Sequence, residues 1–425
     1  MPLRIIVAHP GKQHSYRSAI ALKQKGVLLN YITTVYDKDS LLMRLIKTII
    51  NGNDAKRAAS RRCQELTDDE VIQFNQVGGL ITLLLLRIDK SKKVYTRWND
   101  WVTDRFGIRV AKYAIKKKAD AVIMYDSNAA KGFEYLEKNA PSIVRVLDAS
   151  RSNRLYEKKV FLNDMIVLPE WAEKLHDEKP YMFDQPLNRI KEENEKTQYF
   201  IVPSSYVKRS YVEEGIRPDS IKIVHYGVAV DRFKPNEEHF QYKDGKDLFF
   251  VFVGSVWQIK GIGHLLSAMR IVNKKYPSIK IHIVGGTVSE EINKEYGNPA
   301  ISHGYVLHDE MADILRKADV MVFPSLSEGM TLSGLEALAS GIPVICTVNS
   351  GINDLIKDGE NGYVIPVSDT AAVAEKIMWF IENPKQIPDM KRAAREVAIK
   401  YTWEHYYDEY SNALSLIVNE YKMEK

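Results

Sequence analysis

Short apolar runs alternate along the chain with longer segments of helical character, and this pattern predicts strands and helices in turn. In the first half the apolar runs are LRIIVAHP, VLLNYITTVY, ADAVIMYD, SIVRVLDAS, QYFIVPSS and SIKIVHYGVAVDRF. The first run is followed by a glycine loop and by a predicted helix that Gly26 closes. Alternation at this spacing favours a parallel, doubly wound sheet and therefore the α/β class.

The same pattern begins again near residue 248 and predicts a second domain of the same kind. The run DLFFVFVGSV is followed by an amphipathic helix, and later by IKIHIVGG, ISHGYV, ADVMVFPS, GIPVICT and GYVIPV. The apolar face of that helix is predicted to contain Ile262, Leu265, Leu266, Met269 and Ile271. Two such domains leave a cleft between the carboxyl ends of their strands, which is where sheets of this kind bind ligands.

The domain boundaries follow from this repetition. We predict an N-terminal Rossmann-like domain of residues 1–235 and a C-terminal one of residues 236–401. The charged, turn-rich segment Phe233–Asp247 is the natural linker between them. The chain then ends in a long predicted helix, residues 402–425, which we expect to pack back on the N-terminal domain.

Length and composition indicate a soluble protein with more than one domain. The chain has 425 residues, of which 45% are hydrophobic and 27% are charged. Two cysteines, Cys63 and Cys346, leave no disulfide framework or cysteine-rich zinc site to infer. The first residues lack the features of a signal peptide, and the apolar run Val77–Leu86 is shorter than the roughly 20 residues that span a bilayer. We therefore expect a cytoplasmic protein.

The net charge of +5 is unevenly distributed. Residues 87–118 contain eleven Lys or Arg and three Asp or Glu, with aromatic residues between them at Tyr95, Trp98, Trp101 and Phe106. Such a segment fits an anionic lipid surface or a nucleic acid. It fits equally a solvated helix face whose aromatic side chains point into the core.

The stretch PSLSEGMTLSGLEALASGIPVICT places two glutamates on either side of a predicted helix start. A strand ends just before it, and the glycine and proline of SGIP stop the following helix. The helix is therefore predicted over Leu332–Ser340, with Thr331 or Ser333 as its N-cap. Glu328 then lies in the loop over the cleft, and Glu336 lies one turn inside the helix.

This arrangement predicts a site for a nucleoside diphosphate that carries a sugar. Free amides at the start of a helix, together with the helix dipole, favour an anion such as a diphosphate. Gly329 lets the backbone approach the ligand, and Glu336 can accept hydrogen bonds from the two hydroxyls of a ribose. Glu328 would accept bonds from the hydroxyls of the sugar beyond the phosphates. The alternative is a helix start whose nearby acids only complement the dipole.

With these residues in view, the sequence resembles the retaining glycosyltransferases of the GT-B fold, family 4. Glu328 and Glu336 are similar to the E-x7-E motif of that family, and the flanking LEALASGIPVI and DLIKDGENGYVIP continue the pattern. The segments FVFVGSVWQIKGIGHLLSAM, VPSSYVKRSYVEEGI and IKIVHYGVAVDRFKP also resemble family segments. The likeness is specific from Tyr199 to Tyr363. It implies a GT-B fold, a nucleotide-diphosphate sugar as donor, no metal and no cofactor.

The resemblance also implies roles for individual residues. Glu336 would bind the ribose and Glu328 the transferred sugar, and Lys260 matches the phosphate-binding lysine of the family. An arginine usually follows the strand glycine, here Gly254, but this chain has Ser255. The diphosphate would be held by the backbone of Gly329, Met330, Thr331 and Leu332, and the base would be recognised near Gly304 and Val306.

The N-terminal domain offers candidates in the loops that follow its strands. Gly11 and His14 follow the first strand, where the glycine would admit the diphosphate or the acceptor and the histidine would bond a hydroxyl or phosphate. Asp126 and Asp148 end later strands, and either carboxylate would contact the donor sugar or the acceptor, or cap a helix. We count His14 and Asp126, with Glu328 and Lys260, as the catalytic candidates.

Two weaker motifs are assigned no ligand. The sequence Asp37-Lys38-Asp39 resembles a metal-binding D-x-D, but it conflicts with the two-domain pattern and is interpreted as a turn. The segment Val284–Gly286 lacks the rest of a dinucleotide-binding fingerprint.

The sequence therefore predicts a retaining, metal-independent glycosyltransferase. It would move a sugar to a glycan or lipid-linked glycan acceptor, in the synthesis of cell-surface polysaccharide or glycolipid. The basic residues 87–118 would hold it peripherally on an anionic membrane surface, and no nucleic acid is expected. The alternatives are a nucleotide-sugar epimerase, a sugar phosphorylase, or a sugar-nucleotide-binding scaffold without activity, for which Ser255 is the hint.

Overall fold

The computed structural model describes residues 3–38, 61–178, 182–183, 187–241 and 247–423. These residues form two α/β domains, each built on one parallel sheet with helices on both faces. Strands covered on both faces need apolar residues at every position, and this requirement explains the continuous apolar runs of the sequence.

The N-terminal sheet contains seven described strands in the order β3-β2-β1-β4-β5-β6-β7, all parallel. The strands are β1 (Ile5–Ala8), β2 (Leu28–Thr33), β3 (Val71–Gln73), β4 (Ala121–Tyr125), β5 (Val144–Asp148), β6 (Tyr199–Val202) and β7 (Ile221–Ile223). The strand order reverses between β1 and β4, so the loops after these two strands diverge and open a crevice.

Eight described helices belong to the N-terminal domain. They are α1 (Ser15–Gln24), α2 (Gln76–Ile88), α3 (Lys93–Lys117), α4 (Ala130–Asn139), α5 (Arg154–Val167), α6 (Ala172–Glu178), α7 (Asn188–Lys196) and α8 (Ser205–Val212). Single 3₁₀ turns lie at Pro169–Trp171, Pro218–Ser220 and Glu237–Phe240.

The C-terminal sheet contains six described strands in the order β10-β9-β8-β11-β12-β13, also parallel. They are β8 (Phe250–Val253), β9 (Ile281–Val284), β10 (Ala300–Gly304), β11 (Val320–Phe323), β12 (Val344–Thr347) and β13 (Gly362–Ile365). Here the order reverses between β8 and β11, which places the loops after these two strands at the cleft.

Seven described helices follow. They are α9 (Ile262–Asn273), α10 (Glu290–Glu295), α11 (His308–Leu315), α12 (Leu332–Ala339), α13 (Thr370–Glu382), α14 (Ile387–Ala398) and α15 (Trp403–Met423), with 3₁₀ turns at Gln258–Lys260, Ile352–Leu355 and Pro384–Gln386. Helix α15 packs on the N-terminal domain, where Arg17 donates to the Tyr407 hydroxyl at 2.5 Å and Lys222 pairs with Glu420 at 2.8 Å.

The predicted alternation of strands and helices is confirmed, with local differences. Strand β3 was missed because its three residues lie in a polar stretch without an apolar run. The prediction that Ile271 lies on the buried face of its helix was wrong, since this side chain is 40% exposed. Asp37 and Lys38 lie in the loop after β2, and Asp39 lies outside the described residues.

Polar side chains connect the two domains beside the cleft. The Ser204 hydroxyl donates to the Gly329 carbonyl at 2.6 Å, and a buried hydrogen bond joins His264 Nε2 and Asp164 Oδ1 at 2.7 Å. Buried polar groups need partners, so these contacts favour one relative arrangement of the domains. The first contact joins the segment after β6 to the loop after β11, and the second joins α5 to α9.

Candidate active site

The main cavity at the domain junction, which we call the interdomain cavity, has a volume of about 400 Å³. The N-terminal domain contributes Gln13, His14, Ser150 and Tyr226 to its lining, and the C-terminal domain contributes Val253, Gly254, Lys260, Phe323, Glu328, Met330, Thr331, Leu332 and Ser333. Most of these residues follow the carboxyl end of a strand, as the doubly wound topology requires. Seven of the predicted site residues therefore meet here.

Helix α12 begins at the wall of this cavity. Thr331 is its N-cap, with the hydroxyl accepting from the Gly334 amide at 3.4 Å and lying 2.9 Å from the Ser333 hydroxyl. Ser333 also donates to the Val253 carbonyl at 3.2 Å, which ties the helix start to the end of β8. The first-turn amides beside Leu332 have no partner within the helix, so this end suits an anion.

Lys260 and Glu328 form an ion pair inside the cavity, although 67 residues separate them in the chain. Lys260 ends a 3₁₀ turn, and the next residue, Gly261, has φ +74°, at a position where a Cβ would overlap the Pro324 carbonyl oxygen. Only glycine fits there, because the backbone is left-handed and the space is occupied. The turn therefore aims the lysine at the loop that carries the glutamate.

Glu336 lies one turn inside α12, as predicted, and is partly buried. Burial raises the pKa of its carboxyl group to about 7, and the nearby positive charge of Arg232 opposes this rise. Within the described part of the chain, this carboxyl group makes no side-chain hydrogen bond or ion pair. A half-buried carboxyl without partners is ready to accept hydrogen bonds from a ligand.

The remaining predicted residues of the C-terminal domain lie around the cavity. Ser255 is exposed beside Gly254, outside the lining. Gly304 (φ +68°) accepts the Gly285 amide through its carbonyl at 2.8 Å, and neither it nor Val306 lines the cavity. Gly304 is the last residue of the edge strand β10, and Val306 lies two residues after it.

Gly329 has a different environment from the one that the sequence suggested. A Cβ at this position would overlap the carbonyl oxygen of Ser150 in the other domain, and the Gly329 carbonyl accepts from Ser204. Its small size therefore serves the contact between domains, and it does not line the interdomain cavity.

His14 is held by a buried carboxylate. Its Nε2 lies 2.9 Å from Asp148 Oδ1, and Asp148 Oδ2 accepts from the Tyr410 hydroxyl at 2.7 Å and from Ser18 at 3.2 Å. Asp148 is 3% exposed and does not line the interdomain cavity. The contact with this carboxylate fixes the orientation of the His14 ring at the wall of the cavity.

Gly11 and Asp126 line a second cavity, of about 340 Å³, which we call the N-domain cavity. Its lining comprises His9, Pro10, Gly11, Gln13, Thr34, Val35, Arg61, Gly79, Thr82, Leu83, Leu86, Tyr95, Asn99, Val102, Asp126, Ser127, Asn128, Arg151 and Arg154. Gln13 lines both cavities, and the Ser150 hydroxyl of the first lies 3.2 Å from Asp126 Oδ1 of the second. The two cavities are therefore neighbours.

Several lining residues were missed by the sequence analysis. Gln13 and Ser150 adjoin predicted residues, and Tyr226 follows β7, so a strand-end criterion would have found them. Arg61 reaches the N-domain cavity from a segment without any strand-end or motif signal, and His9 was passed over inside the first apolar run.

Most of the basic segment, residues 87–118, lies in helix α3. In this helix Phe106 is buried, and Trp98 Nε1 donates to the Gly78 carbonyl at 3.1 Å. Trp101 is 47% exposed and lies under the Arg105 guanidinium, 4.6 Å from its ring centre. Some of the aromatic side chains thus face the core and one faces solvent.

Among the described residues, no group of three or more His, Cys, Asp or Glu side chains is placed to hold a metal ion. In the same part of the chain, no helix has the length and apolar content that crossing a membrane requires.

Comparisons with known proteins agree with this geometry. Residues 234–397 match the family described as "Glycosyl transferases group 1". The D-inositol 3-phosphate glycosyltransferase of Streptomyces scabiei is 27% identical over an alignment of 207 residues that covers 44% of this chain and 46% of that protein. The chain thus spans about half the length of the curated relatives that it matches.

Solved structures match over nearly the whole chain. Sucrose-phosphate synthase from Thermosynechococcus elongatus has a TM-score of 0.65 at 16% identity, covering 98% of this chain and 100% of that one. Anabaena Alr3699/HepE in complex with UDP has a TM-score of 0.59 at 14% identity, covering 97% and 100%. These matches confirm the predicted fold, two Rossmann-like domains in the GT-B arrangement.

Proposed function

We propose that the protein is a retaining, metal-independent glycosyltransferase that uses a nucleotide-diphosphate sugar. The observation that carries the proposal is the lining of the interdomain cavity. It combines the Lys260–Glu328 ion pair, the Thr331-capped start of α12 and His14 from the opposite domain. A cation, helix-start amides and a carboxylate that can accept from hydroxyls thus line one space, and these are the groups that a diphosphate and its sugar need.

The chemistry follows from these groups. In the proposed reaction the bond between the anomeric carbon of the sugar and the diphosphate oxygen breaks, and negative charge grows on the leaving diphosphate. The oxygen of the acceptor hydroxyl forms a bond to the same carbon, and its proton passes to the leaving diphosphate. Lys260 and the amides at the start of α12 stabilise that charge, while Glu328 holds hydroxyls of the sugar. The diphosphate competes with Glu328 for the lysine, so donor binding rearranges the ion pair. Glu336 accepts the ribose hydroxyls.

UDP is the nucleotide with which to begin. The structural relative Alr3699/HepE was solved in complex with UDP and with UDP-glucose, and this supports a uridine nucleotide as the first probe. The acceptor is a glycan or a lipid-linked glycan that enters from the N-terminal domain. Asp126 lines the N-domain cavity next to Ser150, where a carboxylate can bond an acceptor hydroxyl.

A thermal-shift screen with UDP-, GDP-, ADP- and CMP-linked sugars, with and without EDTA, tests the donor. Stabilisation by one base that survives EDTA supports the proposal, and loss of the shift in EDTA contradicts metal independence. Turnover is then measured with glycan acceptors, with inorganic phosphate and without acceptor, and the anomeric configuration of the product is read by NMR. Turnover without acceptor would indicate an epimerase, and turnover only with phosphate a phosphorylase.

A pair of variants separates an enzyme from a scaffold. Glu328→Ala should abolish most turnover, whereas Glu295→Ala, an exposed glutamate at the end of α10, should leave it unchanged. Wild-type protein that binds donor but never turns it over, with every acceptor class tried, would contradict the proposed activity.

A further inference from the structure

The N-domain cavity has the charge of an anion site. Among the described residues of its lining, Asp126 supplies one carboxylate, whereas Arg61, Arg151 and Arg154 supply three guanidinium groups. Arg151 pairs with Glu157, and Arg154 donates to the Ser127 hydroxyl at 2.6 Å. These contacts keep the two arginines in place at one side of the cavity.

Arg61 differs from the other two arginines. Burial lowers the pKa of its guanidinium, and among the described residues the group has no carboxylate partner. Lys12 lies nearby, and its pKa is lowered by burial and then by the charge of Arg61. Two partly desolvated cations that repel each other gain most from an anion between or beside them.

His9 adds an unused donor to the same cavity. Its Nδ1 accepts from the Gly11 amide at 2.7 Å, so the hydrogen of the neutral ring is on Nε2. Burial lowers the pKa of His9 to about 4, so the ring is neutral near pH 7. Nε2 is buried and has no hydrogen-bond partner in the described part of the chain, although the side chain is only 5% exposed. Such a donor is costly unless a ligand accepts from it.

One wall of the cavity is apolar and continues onto the surface. Helix α2 contributes Gly79, Thr82, Leu83 and Leu86 to the lining, and its one buried residue is Gly79. These four residues lie on one face of the helix, and on that face Leu86 is 45% exposed at the mouth of the cavity. An apolar wall of this kind suits an apolar chain that enters the cavity from solvent.

We propose that the N-domain cavity binds the phosphate of a lipid phosphate, with Arg61 and His9 on the phosphate and the lipid chain along α2. The arginines and the unpartnered His9 Nε2 favour an anion, and Leu83 and Leu86 of the same lining favour an apolar chain attached to it. This proposal rests on the proposed function, because it identifies the acceptor as a lipid-linked one. The shared residue Gln13 places this acceptor beside the donor.

Calorimetric titration of the full chain with farnesyl phosphate, farnesol and inorganic phosphate tests the proposal. Farnesyl phosphate should bind about 10-fold or more tightly than either fragment, because it alone satisfies the cations and the apolar wall. Arg61→Gln should weaken its binding by about 10- to 100-fold, the value of a hydrogen bond to a charged group. Arg109→Gln, an exposed arginine of α3 outside the lining, should leave binding unchanged.

The outcomes are distinguishable. If inorganic phosphate binds as tightly as farnesyl phosphate, the cavity is a free-phosphate site. If farnesol binds as tightly, the cavity is an apolar groove without a phosphate site. If Arg61→Gln binds farnesyl phosphate as tightly as the wild type does, the phosphate does not bind beside Arg61. Each result overturns the proposal. A UDP titration in parallel distinguishes a failure of this proposal from a failure of the proposed function. UDP binding without farnesyl phosphate binding refutes the lipid phosphate alone, whereas farnesyl phosphate binding without nucleotide binding refutes the proposed function.

Discussion

The partly buried carboxyl group of Glu336 should make the stability of the protein depend on pH. Its pKa is raised from 4.5 to about 7, chiefly by burial. The folded protein therefore holds a proton on this group between pH 4.5 and 7, where the unfolded chain has lost it. The free energy of unfolding falls as pH rises through this window, and the full shift is worth at most about 3 kcal/mol.

Replacing Glu336 by Gln removes the ionisation and keeps the size of the side chain. At pH 5 the variant should be more stable by only about 1 kcal/mol, because Glu336 is neutral in the folded protein and this pH lies only slightly above its pKa in the unfolded chain. At pH 8 the variant should be more stable by up to about 3 kcal/mol, because it no longer carries a desolvated charge. Burial also raises the pKa of Glu193 to about 7, but this residue is present in both proteins and cancels in the difference.

The same group should link nucleotide binding to pH in the opposite direction. Ribose hydroxyls donate to the ionised carboxylate, so UDP binding to the wild type should weaken below pH 7, by up to about 10-fold per pH unit. The terminal phosphate of UDP also titrates near pH 6, at about its usual value. Titrating Glu336→Gln in parallel removes that contribution from the comparison.

Urea denaturation from pH 5 to 8.5 and calorimetric titration with UDP over the same range measure both effects. Parallel stability curves for the wild type and the variant would show that the carboxyl is not desolvated. Equal pH dependence of UDP affinity in both would show that Glu336 does not bind the ribose.

Three further predictions use the contacts of the site. Lys260→Met should lower kcat by about 10²- to 10³-fold, because the leaving diphosphate loses the positive charge of the lysine that stabilises it. An unchanged kcat in steady-state kinetics would contradict this role. Asp148→Asn should lower kcat by about 10²-fold and change its pH profile because His14 loses its fixed orientation, whereas a profile parallel to wild type would indicate a purely structural carboxylate. Gly329→Ala should reduce the free energy of unfolding by about 1–3 kcal/mol, since a Cβ overlaps the Ser150 carbonyl, and an unchanged urea midpoint would refute that contact.

Much of the fold and part of the site could be predicted because they depend on neighbours in the chain. Apolar runs specify buried strands, and the sequence around Thr331 contains both the N-cap and the helix that it begins. The positions of Glu328 and Glu336 relative to that helix start are likewise local. A spacing of eight residues across a loop and one helical turn leaves little freedom.

Contacts between distant segments were decided by the tertiary structure. Asp148 forms hydrogen bonds with His14, 134 positions away in the chain, and with Tyr410, 262 positions away. From the sequence, this acid at a strand end was a candidate to contact a ligand or to cap a helix. In the structure it is a buried residue that holds His14 in place. Gly11 lies three residues from His14, yet these two residues line different cavities. Sequence spacing constrains local dihedral angles and helix faces, whereas the order of strands in a sheet and the packing of the last helix decide which distant side chains meet.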